Sequence, residues 1–196
     1  MALDITIRPE TPADHDAIAA VVGRAFGSPA EPRLVEAIRA SSEYLAELAL
    51  VATVDGTIVG HVMISGCRLV AQTVESGDDA GHDHGRDPGR DTGHDIVMLS
   101  PLAVDPDFHG RGVGSELVRS VTALADRRGE PLVVLEGDPR YYTRFGFEPA
   151  AGHGITMPIP DWAPPEAAQV LRLTNDDPAL RGRVIYPPSF EVLDGA

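Results

Sequence analysis

The chain has 196 residues, of which 43% are hydrophobic, and this length and composition predict a single packed domain over 1–196. Its formal net charge of −14 argues against nucleic acid as a partner, because phosphate binding needs a basic surface. The same charge is compatible with a cationic substrate such as an amine, and a role in solubility alone stays open.

The N-terminal part of the chain predicts a strand followed by two helices. Apolar residues alternate over 3–7, which is the period of a half-buried strand. Thr11, followed by proline, has the residue types of a helix N-cap and first helical position. Ser28, with Glu31 three residues later, repeats a capping pattern and predicts the start of a second helix.

The middle of the chain predicts a hairpin and one long helix. Asp55-Gly56 has the composition of a two-residue hairpin turn. The clearest helix covers 111–128, has one apolar face and ends at a glycine. This succession of strands and helices predicts an α/β (α+β) fold with a mixed sheet. The other predicted elements are strands at 48–54, 58–64, 96–104, 132–135 and 170–173 and a short helix at 139–145.

A polar segment at 76–95, SGDDAGHDHGRDPGRDTGHD, interrupts this pattern. It is almost free of apolar residues and cannot bury a face, so we predict a mobile loop between two strands. Its histidines, His82, His84 and His94, stand among carboxylates and leave a divalent-metal site open as an alternative. We expect no metal, because a glycine-rich backbone does not preorganise ligands.

The stretch 101–118, PLAVDPDFHGRGVGSELV, predicts an anion site. A strand ends near Val104, and glycines at 110, 112 and 114 lead into the long helix. The first N–H groups of that helix have no intrahelical partner, and the helix dipole adds partial positive charge, so a diphosphate fits. A nucleotide site, or a tight connection without a ligand, stays open on these residues alone. The motif is neither a P-loop, which needs Gly-Lys-Ser/Thr, nor the Rossmann G-x-G-x-x-G.

This turn resembles the acyl-CoA signature Q/R-x-x-G-x-G/A of the GNAT superfamily of N-acetyltransferases. The chain reads HGRGVG there, with His109 where the signature prefers Gln or Arg. Residues 142–147, YTRFGF, match the superfamily's Y-x-x-x-G-F element. Together with PLAV, GDPRYY and the YPP at 186–188, these motifs look most like the bacterial YhbS-like branch of the superfamily.

The resemblance implies a mostly antiparallel sheet, flanked by helices and splayed at a central bulge at about 102–104. It implies acetyl-CoA as co-substrate and direct acetyl transfer to a primary amine of a small molecule or peptide, without a covalent enzyme intermediate. Pantetheine would lie along the backbone of Leu102, Ala103 and Val104. The residues expected at the diphosphate end are His109, Gly110, Arg111, Gly112, Val113, Gly114 and Ser115.

Two residues are our candidates for proton transfer. Tyr142 matches the superfamily's tyrosine and is the candidate acid for the departing thiolate, whereas Tyr141, about 100° away on a helix, is expected to pack. Glu136 ends the apolar run before the motif and is the candidate base. A packing role for Tyr142, a capping or solvated role for Glu136, a base role for His61 and a water relay stay open. Cys67 is assigned no role.

A rival function is a non-catalytic acyl-CoA-binding sensor, which would need the turn but not Tyr142. One cysteine, and an N-terminus without an export signal, predict a cytoplasmic protein. No apolar run is long enough for a membrane span, so we expect no membrane partner. Pairing through strands around 162–173 leaves a homodimer open.

Overall fold

The structure, a computed structural model, describes residues 3–71 and 93–193. Within these ranges no helix is long and apolar enough to cross a lipid bilayer. The α-helices are α1 His15–Phe26, α2 Ala30–Arg39, α3 Val113–Arg128 and α4 Pro139–Tyr142. The strands are β1 Thr6–Pro9, β2 Tyr44–Val54, β3 Thr57–Val70, β4 Gly93–Val104, β5 Leu132–Glu136, β6 Glu148–Pro149, β7 Ile155–Thr156, β8 Ala168–Arg172 and β9 Gly182–Ile185.

The strands form one sheet in the order β1-β2-β3-β4-β5-β8-β6, and β9 pairs with both β3 and β7. The β4–β5 and β7–β9 pairs are parallel and the other pairs are antiparallel. Helix α3 supplies the crossover connection that the parallel β4–β5 pair requires. The prediction of a mixed, mostly antiparallel sheet flanked by helices is confirmed.

Helices cover both faces of this sheet. On one face, α1 and α2 pack through residues such as Ile18 and Ile38 against Met63 of β3, and we call this the α1/α2 face. On the other, α3 packs through residues such as Leu117 against Val62, and we call this the α3 face. Successive residues of a strand point to opposite faces, so each β3 residue contributes to one of two separate cores.

The ends of some elements differ from the sequence predictions. Helix α3 begins at Val113, two residues later than predicted, because Gly110 and Gly112 adopt positive φ angles of 71° and 92°. Strand β4 begins at Gly93, so the last three residues of the predicted loop belong to a strand. Asp95 pairs there with Arg68 across the ladder, at 3.0 Å, which lets a polar segment continue the strand. The rest of that predicted loop lies outside the described residues.

A bulge and a strand separation open the sheet at its centre. On β3, Val62 and Ile64 pair with Leu102 and Leu99, so Ser100 and Pro101 together oppose a single β3 residue. The bulge therefore lies just before the predicted position at 102–104. A proline suits it, because a proline has no N–H to donate to a ladder.

Strand β5 pairs with β4 over Val97–Val133 and Met98–Val134, and over the described residues the pairing stops there. Beyond this point β4 stays with β3, whereas β5 stays with β8. The edge of β4 from Leu99 to Val104 is therefore open toward β5. We call this opening the β4–β5 split.

Candidate active site

The turn between β4 and α3 has the geometry of an anion site. Gly112 is the N-cap of α3, and both Gly110 and Gly112 have a positive φ that favours glycine. A side chain added at either glycine would meet no atom within 4 Å, so the space beside the turn is open. The first amides of α3, from Val113 to Ser115, lack an intrahelical acceptor and face this space.

Hydrogen bonds to α1, to β4 and within the turn hold its conformation. Asp105 accepts hydrogen bonds from the Asp107 amide and the Arg24 guanidinium of α1, each at 3.0 Å. Arg24 also donates to Asp107 at 2.9 Å. His109 donates through Nε2 to the Val104 carbonyl at 2.9 Å, which ties the turn back onto β4. His109, the residue that departs from the family signature, thus has a structural partner.

A cleft of about 650 Å³ lies against the turn. Of the predicted cofactor-binding residues, those that line it are Leu102, Val104, His109, Gly110, Gly112, Val113, Gly114 and Ser115. Ala103 is buried on the α1/α2 face instead. Arg111 is exposed, with its guanidinium 5.5 Å from the Phe108 ring centroid. The lining also contains Ala25, Phe26, Phe108, Tyr141 and Arg144, which the sequence analysis did not place at the cofactor.

Tyr141 and Tyr142 are adjacent in the sequence but contact different parts of the structure. The Tyr141 hydroxyl stands over the start of α3, where a side chain at Gly114 would come within 2.5 Å of it. The Tyr142 ring packs on Gly137, which follows β5, and meets Phe147 edge-on with centroids 5.7 Å apart. Burial raises the pKa of Tyr142, so its hydroxyl stays protonated at neutral pH. Tyr141 therefore lies at the anion end of the cleft and Tyr142 beside the split.

Glu136 is the last residue of β5, beyond the point where β5 stops pairing with β4. It lies on the other side of the sheet from Tyr142. Along β5, Leu132 and Val134 belong to the α1/α2 face and Leu135 to the α3 face, so alternation directs Glu136 to the α1/α2 face. The residue is half-buried, and burial raises the pKa of its carboxyl, which the nearby Tyr186 hydroxyl opposes. A carboxylate in such a place is a better base than one in water.

His61 belongs to a buried ion network and does not line the cleft. Its Nε2 lies 2.8 Å from Glu10, which also accepts from Arg39 at 2.7 Å and from Tyr44 at 2.9 Å. Burial lowers the pKa of His61, and its Nδ1 is buried without a partner. A neutral imidazole that donates to Glu10 satisfies both observations.

Within the described residues, nothing supports a reactive role for Cys67 or a metal site. Cys67 is buried, and burial raises the pKa of its thiol, so the reactive thiolate is disfavoured. His94 lies in β4, whereas His82 and His84 are outside the described residues. No group of three His, Cys, Asp or Glu side chains in the described parts could hold a metal ion.

Comparison with known proteins places this geometry in a family. Residues 16–147 match the "Acetyltransferase (GNAT) family". The Escherichia coli protein "Uncharacterized N-acetyltransferase YhbS" is 36% identical over 178 residues, which is 90% of each chain. Another E. coli relative, "Uncharacterized N-acetyltransferase YjhQ", is 32% identical over 148 residues, or 75% of this chain and 72% of the relative.

Solved structures agree with this assignment. E. coli YhbS in complex with CoA superposes with a TM-score of 0.77 and 34% identity, over 97% of this chain and 94% of that one. A GNAT family acetyltransferase from Brucella melitensis in complex with acetyl-CoA gives 0.67 and 28%, over 95% and 97%. The family match covers more than half of the chain, including the turn before α3 and the 142–147 motif. The chain therefore belongs to the acetyltransferase (GNAT) family.

Proposed function

We propose that the protein transfers an acetyl group from acetyl-CoA directly to a primary amine of a small molecule or peptide. The observation that carries the proposal is the position of the β4–β5 split beside the open N-terminus of α3. The two features form one path from an anion site to the centre of the sheet. A long thioester with a diphosphate at one end matches such a path.

The α3 end of the cleft suits the diphosphate and the 3′-phosphate of CoA. Amides from Val113 to Ser115 would hold the diphosphate, because they have no helical acceptor and the helix dipole favours an anion. Arg144 lies in the lining with its guanidinium 4.2 Å from the Tyr141 ring centroid. It forms no ion pair within the described part of the chain, so it is available to a phosphate in a protein of net charge −14.

The open edge of β4 suits pantetheine, as the family resemblance implies for Leu102 to Val104. Leu102 and Val104 line the cleft, and beside them the sheet lacks the neighbouring strand that would use the outward backbone groups. The Val104 carbonyl already accepts from His109, so we expect pantetheine to pair with other backbone groups of this edge.

The two proton-transfer candidates suit a direct reaction between two substrates. The amine nitrogen would attack the thioester carbon, so that a C–N bond forms, the C–S bond breaks and CoA leaves as its thiolate. Glu136 would accept the proton of the amine on the α1/α2 face. Tyr142, protonated and on the α3 face, would donate a hydrogen bond to the departing sulfur. No enzyme nucleophile is required, and the thiol of Cys67 is buried.

Calorimetric titration with acetyl-CoA tests the binding part of this proposal. Gly112→Trp should abolish binding, because its indole would fill the open space beside the turn. Gly56→Trp is a matched control, since Gly56 also has a positive φ and open space around it but lies in the β2–β3 turn. Binding that is absent from the wild type, or unaffected by Gly112→Trp, would contradict the proposed site.

An amine panel with detection of released CoA thiol tests the reaction. The chain contains no lysine, so its own lysine side chains cannot consume the acetyl group. Binding of acetyl-CoA without turnover on any amine would favour the non-catalytic sensor instead. We retain a cytoplasmic location and a homodimer as further proposals, the first supported by the single, unpaired cysteine.

A further inference from the structure

A buried phenol from the C-terminal part of the chain lies beside the candidate base. Tyr186 follows β9, which pairs with β3 through Ile185 and Arg68. Its hydroxyl is buried and makes no regular hydrogen bond to any described residue. Burial raises the pKa of this hydroxyl, and the neighbouring Glu136 carboxyl and Cys67 thiol raise it further. The phenol thus faces the end of β5 where the sheet has split.

Packing alone does not account for the hydroxyl of Tyr186. The ring contacts Phe190, with centroids 5.3 Å apart, within the core of the α1/α2 face. Phenylalanine would preserve this ring contact and would not bury an unsatisfied polar atom, which is unfavourable. The hydroxyl therefore points to a hydrogen bond with a neighbouring group that forms when that group is ionised.

The position of this hydroxyl is well determined. Tyrosine has two side-chain torsions, and the residue before a proline has a restricted backbone, as Tyr186 does before Pro187. Pro187 is itself buried. Glu136, in contrast, has a longer side chain and forms no ion pair within the described ranges. The Tyr186 hydroxyl is therefore a donor in a restricted position beside the Glu136 carboxylate, whose own side chain is more flexible.

We infer that Tyr186 is a positioning residue for Glu136, donating a hydrogen bond to its carboxylate when that carboxylate is ionised. The inference rests on the proposed function. The other titratable groups near the pair do not offset the charge of the Glu136 carboxylate. Cys67 is a buried thiol whose pKa is raised by burial and by the acidic Glu130, so it stays neutral. The hydroxyl of Tyr186 is therefore the group that supports the charged base. The base accepts one proton from the amine and releases it to water, and Tyr186 retains its own.

The first test is the pH dependence of kcat/KM in the Tyr186→Phe variant. A hydrogen bond to a carboxylate favours the ionised form, so its loss raises the pKa of Glu136 and moves the acid limb to higher pH. At pH 7 we expect kcat/KM for the amine to fall about tenfold, with the affinity for acetyl-CoA unchanged. Tyr44→Phe is the control, because it also removes a hydroxyl that faces a carboxylate, Glu10, but one away from the split. Its acid limb should stay at the wild-type position.

The second test does not depend on turnover. Carbon-13 NMR of labelled glutamate side chains, with the Glu136 signal assigned through Glu136→Gln, gives the carboxyl pKa directly. Tyr186→Phe should raise that pKa. An unchanged pKa, or an unchanged pH profile, overturns the inference. Failure of the proposed function is distinguishable, since it would appear as absent turnover in the wild type whatever the NMR titration shows.

Discussion

Replacing Glu10 with glutamine tests how the buried ion network holds α2 on the sheet. The Glu10 side chain is 1% exposed and that of Arg39 is 11% exposed. Glutamine keeps the shape but removes the charge, and its amide N–H groups would face the donors of Arg39 and His61. Removing one partner of a buried ion pair costs about 3–5 kcal/mol. For a domain of this size, this corresponds to a fall in Tm of about 10 °C.

The same network gives this prediction a pH dependence. Burial alone would raise the pKa of Glu10, but hydrogen bonds from Arg39 and His61 outweigh it and hold the pKa well below its usual value. A group with a depressed native pKa contributes stability above its unfolded pKa and loses it as pH falls. For Glu10 the loss begins near the ordinary value of 4.5 and amounts to about 1.4 kcal/mol per pH unit. By pH 3, the free energy of unfolding of the wild type should therefore have fallen by about 2 kcal/mol relative to that of Glu10→Gln.

The assay is thermal unfolding followed by circular dichroism at pH 7 and pH 3. Glu116→Gln is the matched control, because Glu116 and its partner Arg119 are both more than half exposed, at 52% and 59%. An exposed pair of this kind contributes about 1 kcal/mol or less. A Glu10→Gln variant within about 3 °C of this control would refute the reasoning, as would a gap from wild type that is equal at both pH values.

Two further substitutions address the cleft. Gly137→Ala should lower kcat about tenfold and leave acetyl-CoA affinity unchanged, because the added methyl group collides with the ring of the candidate acid. Gly152→Ala, whose methyl group would meet no atom within 4 Å, is its control in steady-state kinetics; equal kcat values would contradict the packing argument. Arg144→Ala should weaken acetyl-CoA binding about tenfold in calorimetry. Arg140→Ala, which removes an exposed arginine paired with Asp138, should not, and similar losses in the two variants would argue against a specific phosphate contact.

The anion turn and α3 could be predicted because their signals are local. Glycine spacing, the end of an apolar strand and helical periodicity all lie within 101–128. The error of two residues at the start of α3 has an equally local cause, the positive φ of Gly110 and Gly112. The strands β6, β7 and β9, of two to four residues each, were not predicted, because no alternation extends around them as it does around β1.

The partners of the site residues could not be predicted, because they are far apart in the chain. Arg24 reaches Asp105 across 81 residues, and nothing near either residue indicates the other. Tyr186 and Glu136 come together only through the pairing of β9 with β3 and the position of β5 in the same sheet. The sequence motif could identify a tyrosine and a carboxylate, but not the side of the sheet on which each one lies.

The sequence by itself determined the family, the fold class and the place of the anion turn, since these depend on residue types at short spacing. Tertiary structure alone decided where β4 and β5 separate. Strand pairing is a property of two distant segments and a bulge between them, and no single segment encodes it. Beside this opening Tyr142 and Glu136 lie on opposite faces of the sheet, and Tyr141, rather than Tyr142, lies at the anion end of the cleft.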